Sequence, residues 1–272
     1  MNSARSLHFV ERGAGVPVLT VHGWSPDHRI MTGFLEPLFD RRPGWRRLYP
    51  DLPGMGRTPA PETVASSDDV LAALEEFIKH RIGERPFLVV GESYGGYLAR
   101  ALANRRPEQV RGLALVCPIG LHVEARDRTL PERSVVGADS ELMAGLDEEE
   151  AAAFGSLAVV QSAETLRRFR EEVAPGLALA DFESLARIRR RWTLSEEPES
   201  RGPYERPSLI ITGRQDWATG YADVYPLLPH YPRATFAVID RGGHNVQFEQ
   251  PSLVEALLNE WLDRVEEAGG LE

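Results

Sequence analysis

The chain has 272 residues, 42% hydrophobic and 26% charged, enough apolar content to bury the core of one α/β domain. Its 41 acidic against 31 basic side chains leave a formal charge of −10, which argues against nucleic acid or an anionic membrane as the main partner, since both need basic patches. A lone Cys117 excludes an intrachain disulfide, and no stretch reaches the ~20 apolar residues of a membrane helix.

The opening stretch 1–13 lacks an apolar region with a small-residue cleavage site, so no signal peptide is expected and the default location is cytoplasmic. Leu7–Glu11 reads as an edge strand and Pro17–Val21 as a central one that ends at His22-Gly23. A helix is predicted over Ile30–Phe39, then a strand over Trp45–Tyr49 closed by the turn-rich "PDLPGMGRTPAP". Ser66–Arg81 has Ser and Asp at its start, apolar residues at helical spacing and Gly83 as a stop. The strand Phe87–Val90 follows, then "GESYGG", a helix from about Gly95 to Arg105, and a buried strand at Arg111–Cys117. In that last run Cys117 reads as a small buried hydrophobe.

From Leu121 to Arg206 the pattern changes to Glu-, Arg- and Ala-rich helical periods without a convincing strand. The segments 146–160, 162–173 and 181–192 each read as one amphipathic helix, their mixed Arg and Glu as solvated faces. Strands resume at Ser208–Thr212 and Ala234–Ile239, and a helix over Ser252–Val265 closes the chain. The alternation implies a parallel sheet, with a core of 1–120 and 207–272 and a helical insertion at 121–206.

Gly91 and Gly95 flank Ser93 at the end of a buried strand. A sharp turn from strand into helix needs small residues there, and it would display the Ser93 hydroxyl at a helix N-terminus that favours developing negative charge. The alternative use of such a serine is simply to cap the helix. A serine nucleophile needs a base. Among seven histidines, His244 sits in the glycine-softened loop "DRGGHNVQFEQP" beside the sheet's C-terminal edge, whereas His22 precedes Gly23-Trp24 and fits another role. Asp216, after the strand Ser208–Thr212, is the candidate carboxylate, with Asp240 and Asp223 as competitors. Backbone N–H groups of Trp24 and Tyr94 are candidate oxyanion donors.

"VHGW", "DLPGMGRT", "GESYGG", and "GRQD" with "GGH" occur in this order. In them the chain resembles the α/β-hydrolase superfamily, in its branch with a helical cap. The resemblance implies a mostly parallel, roughly eight-stranded sheet with helices on both faces. It also implies a nucleophile–acid–base order of Ser93, Asp216 and His244, and a lid formed by 121–206. Trp24, Phe154, Phe169, Trp192 and Trp217 are candidate pocket residues, each of the last four equally consistent with packing. No metal or organic cofactor is expected. The expected partner is a small-molecule substrate such as an ester, with a homodimer left open. Carbon–carbon bond, lactone or thioester hydrolysis and acyl transfer use the same three residues, and a slow-turnover ligand receptor is the reading from another class.

Overall fold

Strand alternation explains how one sheet feeds two apolar layers. The computed structural model describes residues 7–271; the stretch 1–6, part of the segment read for a leader, lies outside them. In chain order the elements are β1 (Phe9–Gly13), β2 (Val16–Val21), α1 (Arg29–Phe39), β3 (Trp45–Pro50), α2 (Ser67–Arg81), β4 (Phe87–Glu92), α3 (Ser93–Arg105) and β5 (Val110–Val116). There follow α4 (Ser140–Ala144), α5 (Glu148–Gly155), α6 (Ala163–Arg168), α7 (Ala174–Leu179) and α8 (Phe182–Arg189). Then come β6 (Ser208–Gly213), β7 (Ala234–Ile239), α9 (Val246–Glu249) and α10 (Pro251–Ala268).

The sheet order is β1-β3-β2-β4-β5-β6-β7, with β1 antiparallel to β3 and every other neighbour parallel. Seven strands are found among the described residues, one fewer than the resemblance implies, because β1 alone precedes the parallel part of the sheet. Successive side chains point to opposite faces. Leu19, Val89, Leu113 and Ile210 join one core with α2 and α3, while Val18, Leu88, Ala114 and Leu209 join the other with α1 and α10. Strands covered on both faces read as continuous apolar runs, which is why β4, β5 and β6 were legible.

Residues 121–206 lie between β5 and β6 and add no strand to the sheet. They are held to the rest by hydrogen bonds onto backbone. The Ser67 hydroxyl donates to the Trp192 carbonyl at 2.6 Å, the Leu194 amide to Tyr97 Oη at 2.9 Å, and Arg187 Nη2 to the Ala60 carbonyl at 2.8 Å. The helix predicted across 162–173 is interrupted. After α6, Phe169–Val173 widens into a π turn before α7. Pro175, near the start of α7, has no N–H to bond four residues back and its ring crowds that carbonyl, so the regular ladder cannot continue.

Candidate active site

Ser93 stands where β4 meets α3, with a left-handed φ of 53°. Non-glycine residues rarely occupy that region, and the strain is sustained by what packs around it. A Cβ at Gly91 would lie 2.5 Å from the Gly95 carbonyl oxygen, and one at Gly95 only 2.1 Å from that of Val21. Both glycines are therefore needed for α3 to press against β2 and β4. The helix begins at Ser93 itself, two residues earlier than its periodicity indicates, because the turn is completed within a single residue.

His244 arrives on the loop between β7 and α9, and Asp216 on the loop after β6. The Ser93 hydroxyl is 2.9 Å from His244 Nε2, and His244 Nδ1 is 3.0 Å from Asp216 Oδ2. A carboxylate only accepts, so the imidazole proton lies on Nδ1 and Nε2 is left to accept from Ser93. Asp216 is fully buried and also accepts from the Thr219 hydroxyl at 2.7 Å and the amides of Ala218 and Thr219. Burial opposes its ionisation, but His244 and the Thr219 bonds outweigh that and hold its pKa at about 2. For His244, burial disfavours the imidazolium, yet the charge and hydrogen bond of Asp216, aided by Glu92, lift its pKa to about 9. The rivals are engaged elsewhere: Asp240 accepts from the Gln215 amide at 2.8 Å and Asp223 from the Thr129 amide at 2.8 Å.

The second histidine does a different task. His22 is fully buried, accepts from the Leu52 amide at Nε2 at 2.9 Å, and so donates from Nδ1 to the Gly23 carbonyl at 2.8 Å. Burial drives its pKa down, which keeps it neutral. In a trans peptide the carbonyl and the next amide point in opposite directions. Anchoring the Gly23 carbonyl therefore turns the Trp24 N–H away from His22, and no acceptor among the described residues takes it. Tyr94 N–H belongs to the first turn of α3, where amides lack an intrahelical acceptor.

A model of the α/β-hydrolase fold matches residues 16–251. The chain belongs to this family. It is 26% identical to a 2-hydroxymuconate semialdehyde hydrolase from Pseudomonas, over 97% of this chain and 92% of that one. Over a shorter span, 41% of each chain, it is 39% identical to the lipase LipV of Mycobacterium tuberculosis. Among solved structures, an α/β-superfamily hydrolase from Oenococcus oeni matches with a TM-score of 0.88 at 28% identity, covering 96% of this chain and 97% of that one. The family supports a hydrolase with the sheet and helices described above. Among the described residues no helix is long and apolar enough to cross a membrane.

Ser93 opens onto a cavity of about 410 Å³. Trp24 and Trp192 line it and form a mutual cluster with Tyr94: Trp192 stacks on Tyr94 at 4.3 Å and meets Trp24 edge-on at 4.6 Å. Phe154 and Phe169 instead pack together at 5.7 Å in the apolar layer shared with α1 and α10, where burial on all sides rather than contact with the cavity fixes them. Trp217 also lies outside the lining; its indole donates to the Ser156 carbonyl at 3.0 Å and Arg133 covers its ring.

Three functional candidates escaped sequence reasoning. Glu92 is 1% exposed, with Oε1 3.6 Å from His244 Nε2, and burial pushes its pKa up to about 7 against the pull of His244. The signal was available: it continues a strand buried on both faces. Arg128 and Arg189 line the cavity, although the charges of the insertion read as solvated faces. On α8, Phe182, Leu185, Ala186 and Arg189 fall at the spacing of one helical face, so Arg189 closes the stripe that faces the cavity.

Among the described residues, two groups bring metal-ligating atoms within 4.8 Å of one another: His8 with His28 and Asp51, and Cys117 with Asp216 and His244. In the first, both imidazoles use Nδ1 toward Asp51, at 2.8 and 2.7 Å, and the amides of His28 and Arg57 complete its shell. A cation there would have to displace both bonding protons. In the second, His244 and Asp216 are already paired with each other, and burial pushes the Cys117 thiol pKa well up, away from the thiolate a metal requires.

Proposed function

We propose that the protein is a serine hydrolase that cleaves a small to medium ester or related acyl compound through an acyl-enzyme on Ser93. The observation that carries this reading is the chain of contacts from Ser93 Oγ to His244 Nε2 at 2.9 Å and on from Nδ1 to the buried Asp216 at 3.0 Å. His244 takes the hydroxyl proton as Ser93 Oγ bonds to the substrate carbonyl carbon, and Asp216 stabilises the imidazolium that forms. The Trp24 and Tyr94 amides receive the developing oxyanion. His244 returns the proton to the leaving group as the carbonyl re-forms, and water then releases the acid by the same path.

The segment 121–206 acts in this reading as a cap, because it supplies the cavity wall opposite Ser93. Hydrolysis of a carbon–carbon bond by the same residues is the second reading, favoured by similarity along nearly the full chain to a protein named as a semialdehyde hydrolase. Intact-mass labelling with a fluorophosphonate tests the core of the proposal. One adduct on the native protein, absent in Ser93→Ala, is the expected result. No adduct on folded protein would overturn the activated serine and favour a ligand receptor. Ester and vinylogous diketone panels then separate the two bond types.

A further inference from the structure

Two of the side chains that line the cavity above Ser93 carry a formal charge, and both are arginines. In a chain of net charge −10, the buried guanidiniums of Arg100 and Arg168 are matched to Glu199 and Glu172, whereas the half-buried Arg128 and Arg189 pair with no carboxylate among the described residues. Arg128 donates only to neutral carbonyls, those of His122, Val123 and Ala218. The Arg189 guanidinium makes no hydrogen bond and no ion pair with any described residue; it lies over the Trp192 ring, 4.1 Å from the centroid. Burial and the nearby Arg189 push the Arg128 pKa below that of an ordinary guanidinium. Of the carboxylates within electrostatic reach of Arg128, those of Asp216, Glu124 and Asp223, none forms an ion pair with it, and Asp216 and Asp223 are committed to His244, Thr219 and the Thr129 amide.

Two like charges beside a cavity repel each other unless an anion sits there. A guanidinium with free donors, held over an indole face, is available to a planar, bidentate acceptor. Trp192 is itself fixed, by its stack on Tyr94 and by Nε1 donating to the Val123 carbonyl at 3.2 Å, so the fork has little freedom to collapse onto the surface.

We propose that the cavity is an acid-recognition site: Arg189, with Arg128 behind it, binds a carboxylate carried by the same small molecule whose acyl carbon reaches Ser93, so the substrate class is an ester of a dicarboxylic acid with one acid group free. The inference rests on the Ser93 reading for the fate of the ligand, but not for its binding. The apolar wall of Ile119, Leu185 and Trp192 accommodates the chain between the two ends. One uncommitted guanidinium offers one fork, which suits a carboxylate better than a phosphoryl dianion.

Binding is tested on the Ser93→Ala protein, titrated with monomethyl adipate and with dimethyl adipate and followed by calorimetry. The half-ester is expected to bind at least about tenfold more tightly, the fold-change of one charge-assisted hydrogen bond. Arg189→Gln on the same background should bring the ratio close to one, Arg189→Lys should retain part of it, and added salt should shrink it. Equal or weaker binding of the half-ester, no binding of it up to the millimolar range, or a ratio that survives Arg189→Gln would overturn the site. Labelling of native protein is read separately. A Ser93 adduct without acid preference removes the subsite alone; acid preference without an adduct removes the serine reading and leaves an acid-binding protein.

Discussion

The two walls of the cavity are built by different means. Ser93, Asp216 and His244 hang from turns at the ends of the parallel strands β4, β6 and β7, with β5 between the first two. Arg128, Phe182, Leu185, Arg189 and Trp192 come from the segment 121–206, positioned by side-chain bonds onto loops and helices of the core. Parallel pairing sets strand ends in register, and their turns inherit that precision. The opposite wall depends on a few replaceable contacts. Changes to the first wall should therefore strike chemistry or folding, and changes to the second should strike selectivity.

The largest effect is expected from Asp216→Asn, which leaves packing in place but removes the charge that stabilises imidazolium. A fall of about 10⁴-fold in kcat is expected in ester hydrolysis; a change confined to KM would refute its role. Gly95→Ala attacks the same wall through folding, since the new Cβ would meet the Val21 carbonyl at 2.1 Å. A cost of about 3 kcal/mol, roughly 10 °C in melting temperature, is expected by calorimetry.

Glu92→Gln probes the electrostatics between the walls. Because two carboxylates lift the His244 pKa to about 9, the neutral base, and with it kcat/KM, should rise with pH beyond the ordinary histidine range. Removing the Glu92 charge lowers that pKa and should shift the rising limb toward acid by about one pH unit. A limb that stays in place would show that Glu92 does not act on His244. On the far wall, Trp192→Phe loses the bond to Val123 and part of the aromatic stack. KM should rise about fivefold with kcat changed less than about twofold, and the opposite split would contradict the division of labour. Smallest of all, Phe182→Ala, at a side chain 61% exposed, should move stability by under about 0.5 kcal/mol in denaturant titration.

Much of the first wall was legible because local rules produce it. The run Phe87–Val90 marks a strand covered on both sides, and Gly91 and Gly95 mark the tight turn around Ser93. The loops holding Asp216 and His244 follow recognisable strands. What escaped is what proximity creates. His22 and His244 are chemically identical in the sequence, yet burial leaves His22 neutral while a carboxylate lifts His244 in the opposite direction. The helices of the insertion were visible from their periodicity, but not the surface that each face meets. Phe154 and Phe169 went to a packed layer, while Arg189 went to the cavity.

The sequence by itself determined the alternation of strands and helices, the strained serine turn and the order of serine, aspartate and histidine, because these depend on backbone sterics and on hydrophobic period. Only the tertiary structure decided that Glu92 would lie 3.6 Å from His244, that the Gly23 carbonyl would be held by His22, and that Arg128 and Arg189 would share one cavity. These depend on charge, burial and contact between residues far apart in the chain, and such energies exist only once the fold has brought the groups within a few ångströms.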